Sequence, residues 1–356
     1  MFKFSELKQI HLEITNNCQA SCPMCARNIN GGEINPRVQL NDWTLDDFKT
    51  IMNPEVLNQI HGFYFCGNYG DPILNNDLLE MCRYATETNP NGQNFIHTNG
   101  GARKTEWWAE LATVMPKNHR VIFALDGLSD THSLYRIGTR FETVLQNAKA
   151  FIDAGGEAEW VFIRFQHNQH QVEEAERLSK EYGFKYFTVK NSSRFLLEAK
   201  INVVNRKGEQ THIIEPASDT PMKFIDKKTI DNFHKIMDNS VIDCKVQKDK
   251  EIFIDAHKNL FPCCHTGAIP YLWHSQPELS HVSQLMRDQH FDMVKTLGEL
   301  DATKRSIKDI IDSTEFQTAW ETYWHIKKLV ICVRTCGVSE DINFSRPREQ
   351  WSDYND

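Results

Sequence analysis

Residues 14–32 read ITNNCQASCPMCARNINGG and place three cysteines, Cys18, Cys22 and Cys25, within eight residues. Their spacing, C-x-x-x-C-x-x-C, puts three thiols on one short loop. The strand-like run QIHLEIT (residues 9–15) ends just before them, so the loop follows the carboxyl end of the first predicted strand. Parallel α/β folds bind their ligands at that edge. The stretch therefore predicts a thiolate site in an α/β fold.

Strand-like and helix-like segments alternate from the N-terminus to about residue 190. Each strand-like run is short and rich in Val, Ile, Phe, Tyr and Thr, and the helix-like segments include WTLDDFKTIM, with Thr44 as a candidate N-cap. This alternation predicts a parallel sheet with right-handed crossovers, either open or a partial barrel. The runs are residues 9–15, 62–67, 94–98, 120–125, 159–165 and 185–190.

Composition and charge limit the classes of function. The formal net charge is −8, from 48 acidic and 40 basic residues, which argues against a protein that coats nucleic acid but leaves room for a local basic groove. The N-terminus has no apolar signal core, and no run approaches the roughly 18 apolar residues of a membrane span. We therefore expect a cytoplasmic protein without a membrane partner. In that compartment, ten cysteines favour metal ligands or reactive thiols over disulfides.

A second group of cysteines lies in the last third of the chain. The segment KEIFIDAHKNLFPCC (residues 250–264) predicts a β-hairpin, and TEFQTAWETYWHIKKLV (residues 314–330) predicts a helix just before the last two cysteines. A closed cluster site needs four thiolates. A zinc ion held by these cysteines or by His265 is the alternative. The four predicted ligands are Cys244, Cys263, Cys332 and Cys336, with Cys264 as the alternate.

The order of strand-like, helix-like and polar segments predicts how the chain divides into domains. The strand–helix alternation covers residues 1–195, and the polar segment INVVNRKGEQTHIIEPASDTPMK introduces an irregular connection over residues 196–239. Residues 240–340 contain the second cysteine group and form the predicted auxiliary domain. Residues 341–356 form the predicted C-terminal tail.

The first cysteine motif resembles the signature of the radical S-adenosylmethionine (radical SAM) enzymes, and similarities continue in order over residues 7–190. CGNYGDP (residues 66–72) resembles that family's GGEP element, and it is followed by TNG (residues 98–100) and ALDG (residues 124–127). The hairpin ending in NLFPC resembles the Twitch and SPASM extensions of certain members. The sequence also resembles uncharacterised members from phage genomes. The resemblance implies a partial (β/α)6 TIM-like barrel with a small C-terminal α+β Twitch/SPASM-like domain.

Three cysteine ligands leave one iron of a [4Fe-4S] cluster open to an outside ligand. The resemblance implies that this ligand is S-adenosylmethionine, which the reduced cluster cleaves to a 5′-deoxyadenosyl radical that abstracts hydrogen from the substrate. It also implies a second, auxiliary [4Fe-4S] cluster and an electron donor such as flavodoxin or ferredoxin. From the residues alone, two other interpretations stay open for the first motif: a zinc site completed by the distant cysteines, or three unrelated thiols.

The resemblance also implies which residues bind the cofactor, whereas the hypothesis for Cys66 comes from its place at the end of the second predicted strand. Met24 takes a position that is often aromatic in the family, and Cys66 is a candidate hydrogen donor to a substrate radical, with simple packing as its alternative. Gly70 also suits an ordinary turn, and Arg164 also suits an ion pair. Thr98, Asn99 and Asp126 each also suit a helix cap. The implied cofactor-binding residues are Met24, Tyr69, Gly70, Asp71, Thr98, Asn99, Asp126, Arg164, Gln166 and Asn168.

The expected activity is hydrogen abstraction from a small-molecule, nucleoside or nucleotide-type substrate by an enzyme of the oxidoreductase or isomerase type. Dehydrogenation, rearrangement and epimerisation all begin with that step. Three alternatives remain: a SPASM-type enzyme that modifies a peptide or protein, a phage enzyme that hypermodifies nucleobases, and a non-catalytic iron–sulfur or zinc protein. Nucleic acid as a partner is not supported by the net charge.

Overall fold

The structure is a computed structural model that describes residues 1–115, 119–192, 194–195, 200–220, 233–271 and 280–338. The strands are β1 (Gln9–Leu12), β2 (Gly62–Phe65), β3 (Gln93–Thr98), β4 (Arg120–Ala124), β5 (Glu157–Arg164), β6 (Tyr186–Asn191), β7 (Ile201–Val204), β8 (Gln210–Ile214), β9 (Val241–Ile242), β10 (Glu251–Ile254), β11 (Leu260–Phe261) and β12 (Gly337–Val338). The predicted tail, residues 341–356, lies outside the described residues.

Helices connect the strands of the sheet, and further helices lie in the C-terminal third of the chain. A π-helical turn, Glu321–Ile326, interrupts the long helix predicted over residues 314–330. The α-helices are α1 (Leu45–Ile51), α2 (Pro54–Gln59), α3 (Leu78–Thr88), α4 (Thr105–Val114), α5 (His132–Tyr135), α6 (Phe141–Asp153), α7 (Val172–Tyr182), α8 (Phe233–Asn239), α9 (Lys245–Asp249), α10 (Cys264–Ala268), α11 (Ser280–Leu297), α12 (Ile307–Ile311), α13 (Thr314–Trp320) and α14 (Val330–Cys336). Within the described part of the chain, no helix is both long and apolar enough to cross a membrane.

The six predicted strands form one parallel sheet, which confirms the α/β fold class. Strands β1 to β6 stand side by side in sequence order, and each neighbouring pair is parallel. The described strands leave β6 at one edge and β11 at the other, so the barrel is partial and not closed. This order carries the carboxyl ends of all six strands, and the loops that follow them, to one edge of the sheet.

The two faces of the sheet carry different side chains, because successive residues of a strand point to opposite faces. Ile10 and Phe63 lie on the face that packs against the helices in the main hydrophobic core. His11, Tyr64 and His97 lie on the opposite face, which we call the lumen. There the rings of His11 and Tyr64 stack with centroids 4.5 Å apart, and those of Tyr64 and His97 are 5.9 Å apart.

The C-terminal hairpin belongs to the same sheet as the barrel strands. Strand β10 pairs in parallel with β1, so that His11 lies opposite Phe253, and it pairs with β11 in the predicted antiparallel hairpin. The indole Nε1 of Trp43, which is buried, donates to the carbonyl oxygen of Asp255 at 3.1 Å. Residues after position 240 therefore complete the core beside β1. The proposed division into domains at residues 195 and 240 stays a prediction.

Part of the predicted irregular connection is regular. Strands β7 and β8 form an antiparallel hairpin whose turn includes Gly208, with φ +78°. Val203 and Ile214 are fully buried, and the amide of Val204 donates to the carbonyl of Asn30 at 3.0 Å. The polar turn between two short apolar runs hides this hairpin when only composition is considered. The hairpin packs on the segment that follows the first three cysteines.

The shared sheet leads to a test. Ile252, on β10, is fully buried in the main core. Ile252→Ala should lower the free energy of unfolding by about 2–5 kcal/mol, because it leaves a cavity in that core. Amide hydrogen exchange should then quicken in β1 as well as in β10, since the two strands share hydrogen bonds.

The matched control is Ile213→Ala on β8, because Ile213 is 41% exposed and lies in the separate two-stranded sheet. It should leave exchange in β1 unchanged. Faster exchange confined to the C-terminal third in Ile252→Ala would contradict the continuous core.

Candidate functional site

The first three cysteines lie on the loop after β1, which we call the cysteine loop (residues 16–28). Two hydrogen bonds shape it: the amide of Cys25 donates to the carbonyl of Cys22 at 3.0 Å, and Arg27 Nε donates to the carbonyl of Asn16 at 3.1 Å. The three thiols lie close enough to affect one another electrostatically. Burial raises the pKa of Cys18, and it raises that of Cys22 to about 11. The structure therefore brings the predicted triad together.

Two side chains from other loops donate to the sulfurs. Asn99 Nδ2 lies 3.5 Å from Cys18 Sγ, and Arg136 Nη1 lies 3.9 Å from Cys22 Sγ. Donors at these positions stabilise negative charge on sulfur, which opposes the effect of burial. The cysteine loop is thus placed among groups that favour thiolates.

Asp71 connects the loops that follow β2 and β3. Its Oδ1 accepts from Thr98 Oγ1 at 2.8 Å, and its Oδ2 accepts from the amide of Asn99 at 2.7 Å. The side chain of Asn99 also accepts from Gln19 Nε2 at 2.6 Å. Burial raises the pKa of Asp71, and these hydrogen bonds oppose the shift. Three predicted cofactor-binding residues therefore meet in one network that positions Asn99 against Cys18.

Asp126 and Arg136 form a buried pair. Asp126 Oδ2 accepts from Arg136 Nε at 2.5 Å, and its Oδ1 accepts from the amide of Ile163 at 2.6 Å. Burial lowers the pKa of Arg136, but Asp126 and Cys22 outweigh that effect and raise it, so the guanidinium stays charged. Arg136 was not among the predicted site residues. Its position shortly after the ALDG motif is the sequence feature that could have identified it as a site residue.

Close backbone packing explains glycine at position 70. A Cβ atom there would lie 2.0 Å from the carbonyl oxygen of Thr15, so any side chain would push the β2 loop away from the cysteine loop. The amide of Asp71 donates to the carbonyl of Asn17 at 2.8 Å across the same junction. Gly70 is therefore required by loop packing, whether or not it also approaches a ligand.

Tyr69 is buried and connects this junction to the C-terminal third. Its amide donates to Glu13 Oε1 at 2.6 Å, and its hydroxyl donates to the carbonyl of Ala268, in α10, at 2.9 Å. Burial raises the pKa of Glu13 to about 8. Glu13 is a second residue missed from sequence, because a glutamate in a strand-like run gives no sign of facing the inside.

Met24 contacts the segment after β6. Its sulfur lies 3.7 Å from Ser192 Oγ, and its carbonyl accepts from Arg194 Nη1 at 2.6 Å. The cysteine loop is therefore held from the β6 side as well as from β2 and β3.

The three predicted cofactor-binding residues at and after the end of β5 have three different environments. Arg164 forms a two-pronged ion pair with Asp219, at 3.0 and 3.1 Å, as its alternative interpretation expected. Asn168 is fully buried and uses its side chain to bond the backbone of Ile163 and Phe165. Gln166 is exposed. Their roles toward the cofactor stay predictions.

Cys66 immediately follows β2, at the end of the strand that carries Tyr64 on the lumen face. Its amide donates to the carbonyl of Leu12 at 3.0 Å. Burial raises the pKa of its thiol to about 12, and Glu13 and Asp71 add to the shift. A neutral thiol near the cysteine loop is compatible with hydrogen donation and equally with packing, so its role stays a prediction.

The second cysteine group also converges. A hydrogen bond with Cys336 and burial raise the pKa of Cys244, and the charges of Cys263 and Cys332 contribute. Helix α14 places Cys332 and Cys336 one turn apart, and the amide of Asp243 donates to the carbonyl of Cys336 at 2.9 Å. The structure thus brings all four predicted ligands together.

Cys263 and Cys264 point to different neighbours. Cys263 is the N-cap of α10, where its sulfur lies 3.7 Å from Thr266 Oγ1. The amides of Thr266 and His265 oppose the effect of burial on the pKa of its thiol. Cys264 instead contributes to the electrostatic environment of Tyr64, and its carbonyl accepts from Asn68 Nδ2 at 3.0 Å. This placement favours Cys263 over Cys264 as the fourth ligand.

The donor sets fit iron–sulfur clusters. Among the described residues, no three His, Cys, Asp or Glu side chains are placed to share one metal ion. A zinc ion needs four ligands about 2.0–2.3 Å from one point. Each cysteine of a cubane binds its own iron instead, and three or four thiolates suffice. Both sites bring several thiols together, and N–H donors of Asn99 and Arg136 are directed at the sulfurs of the first.

Comparison with known proteins agrees with this geometry. Residues 12–178 match the model of the Radical SAM superfamily. No curated protein matches the sequence. Among solved structures, the chain is similar to anSMEcpe with bound AdoMet (15% identity, TM-score 0.53, covering 93% of this chain and 86% of that one). It is also similar to SuiB of Streptococcus suis bound to S-adenosylmethionine (13% identity, TM-score 0.52, 88% and 67%).

A third similar structure is SuiB bound to the precursor peptide SuiA (14% identity, TM-score 0.51, covering 87% of this chain and 66% of that one). The chain therefore spans about two thirds of the length of SuiB. At these identities the similarity establishes the fold and nothing about the substrate. The family match covers residues 12–178, which include the thiol triad after β1, so this part of the chain is identified as a radical SAM domain. Members of that superfamily use a [4Fe-4S] cluster and S-adenosylmethionine.

Proposed function

We propose that this chain is an enzyme that reductively cleaves S-adenosylmethionine and abstracts hydrogen from an organic substrate. The observation that carries the proposal is the thiol triad after β1, with Asn99 and Arg136 donating to two of its sulfurs. When bound, the cluster and S-adenosylmethionine supply the electron and the 5′-deoxyadenosyl radical for that abstraction. The non-catalytic alternative offers no reason for a triad without a fourth protein ligand.

The residues at this site have separate roles in binding the cluster and in positioning the groups around it. Cys18, Cys22 and Cys25 hold the cluster, and the donors on their sulfurs stabilise the extra negative charge of its reduced form. Asp126 keeps the Arg136 guanidinium aimed at Cys22 through the bond at 2.5 Å. Buried surroundings exclude water from the reacting groups.

The second thiol group holds an auxiliary [4Fe-4S] cluster in this proposal. Cys244, Cys263, Cys332 and Cys336 would provide the four thiolates that hold a closed cluster, and that ligand set argues against direct binding of substrate by the cluster. The site is joined to the first through α10: Tyr69 bonds Ala268 at 2.9 Å. An outside donor such as flavodoxin or ferredoxin supplies electrons, and we place the enzyme in the cytoplasm.

The substrate class is part of the proposal. A small-molecule, nucleoside or nucleotide-type substrate comes first, with dehydrogenation, rearrangement or epimerisation as the net reaction. A peptide is the second candidate, and one observation favours it: SuiB, which shares the fold, has been solved with the precursor peptide SuiA. Deuterium transfer from labelled candidates into 5′-deoxyadenosine distinguishes the two.

Removing one thiol of the triad tests the first site. Cys18→Ala should abolish the release of 5′-deoxyadenosine from reduced, reconstituted protein, because two thiolates cannot hold the cubane. The matched control is Cys82→Ala, since Cys82 is 1% exposed within the core and far from the triad in sequence. Release that survives in Cys18→Ala would refute the site, as would its loss in the control.

Iron content tests the second site. Two cubanes give about eight irons, so Cys332→Ser with Cys336→Ser should retain about four. The control is Cys264→Ser, which should retain about eight, because Cys263 and not Cys264 lies with the other three thiols. An unchanged iron count in the double variant, or a fall in the control, would place the ligands elsewhere.

Stability tests the buried pair. Arg136→Gln should lower the free energy of unfolding by about 3–5 kcal/mol, because it leaves the carboxylate of Asp126 buried without its cation. The control is Arg164→Gln, whose partner Asp219 is 64% exposed on its side chain. That change should cost less than about 1 kcal/mol in chemical denaturation. Equal losses in the two variants would contradict the role given to Arg136.

A further inference from the structure

Strand β6 directs a lysine toward the lumen. Phe187 packs on the helix side against Trp160, with ring centroids 5.8 Å apart. Positions two apart share a face of a strand, so Thr188 and Lys190 lie on the opposite face. Thr188 confirms this placement, because its hydroxyl donates at 2.7 Å to Glu159, on the neighbouring strand.

The charge of Lys190 affects titratable groups on or next to three other strands. It acts on Cys66 after β2, on His97 in β3 and on Glu159 in β5. These influences agree with the strand geometry, which places Lys190 on the same face as Thr188, the lumen face. The side chain of Lys190 therefore faces the lumen from the last strand of the parallel sheet.

Lys190 forms no ion pair with a carboxylate of the described residues, although the charge of Glu159 acts on it. The carboxylate of Glu159 is already bound by Arg120 Nη1 at 3.0 Å and by Thr188. Lys190 is partly buried, and burial lowers its pKa. A desolvated cation without a partner costs stability, which suggests that a ligand provides the anion.

A second cation, Arg194, lies beside the cysteine loop. Arg194 bonds the carbonyl of Met24, and its charge acts on Cys66, Tyr69 and Tyr135. Cys66 thus lies near both cations. The charges of Lys190 and Arg194 both act at the Cys66 end of the lumen, where an anionic molecule would be attracted by both.

We propose that Lys190 binds an oxyanion of the substrate, a carboxylate or a phosphate, in the lumen beside Cys66 and His97. This assignment rests on the proposed function, since it names the chemical class of the substrate of the same site. An oxyanion held at Lys190 leaves the rest of the substrate to extend toward the cysteine loop, where hydrogen abstraction takes place. Lys190 is then the residue that selects anionic substrates.

Site-resolved reductive methylation of the reconstituted protein tests the assignment. Inorganic phosphate and acetate serve as separate probes, and mass spectrometry reads the methylation rate of each lysine. At ten times its dissociation constant, the preferred probe should slow methylation of Lys190 about ten-fold, because mass action leaves about one site in ten empty. Lys185 is the internal control, since it is exposed and paired with Glu157.

Protection by phosphate alone assigns a phosphate-bearing substrate, and protection by acetate assigns a carboxylate. No protection of Lys190 by either probe, or equal protection of Lys185, would overturn the proposal. These readouts do not depend on the release of 5′-deoxyadenosine. A protein that releases 5′-deoxyadenosine without protection of Lys190 refutes only this inference, and protection without release refutes only the proposed function.

Equilibrium dialysis with S-adenosylmethionine separates substrate from cofactor. Lys190→Met keeps the length of the side chain and removes its charge, and it should leave the dissociation constant of S-adenosylmethionine within about two-fold of the original, less than about 0.4 kcal/mol. Its thermal midpoint should equal or exceed that of the unchanged protein, because the unpaired cation is gone. A ten-fold weaker cofactor or a lower midpoint would overturn the assignment.

Discussion

The carboxylate of Asp71 holds together the loops on which the cysteine site depends. Its two oxygens accept from Thr98, the last residue of β3, and from Asn99 just after it. The amide of Asp71 donates to the carbonyl of Asn17 beside the first cysteine. Three strand ends are thus joined through one buried group. Asn99, fixed in this way, donates to Cys18. Without Asp71, the donor to the sulfur and the loop that carries the sulfur would both lose their positions.

Local pattern predicts much of this molecule, and long-range contacts decide the rest. All six barrel strands and the thiol triad follow from short runs and spacing, because alternation and clustering are visible within a few residues. Glu13 and Arg136 were missed, since their importance comes from burial beside distant groups. The pairing of His11 with Phe253 joins segments far apart in sequence, and no local pattern indicates it. The β7–β8 hairpin was hidden by its polar turn.

The two cysteine sites are parts of one packed structure. Asn68 and Tyr69, in the element after β2, bond the carbonyls of Cys264 and Ala268 in α10. Asn35, just beyond the cysteine loop, bonds the carbonyl of Tyr271 at 2.7 Å. Cys66 immediately follows β2, at the start of the same element, and the charge of Lys190 acts on its thiol. The barrel, the auxiliary site and the lumen therefore meet at the loop after β2.

The central claim is that three thiolates hold a cluster with one iron open to S-adenosylmethionine. Electron paramagnetic resonance of the reduced protein, recorded before and after addition of S-adenosylmethionine, tests it most directly. In the variant that lacks Cys332 and Cys336, the remaining signal should be that of a reduced [4Fe-4S] cluster and should change when S-adenosylmethionine is added. A signal that S-adenosylmethionine leaves unchanged, or a protein that binds zinc without sulfide, would contradict the account.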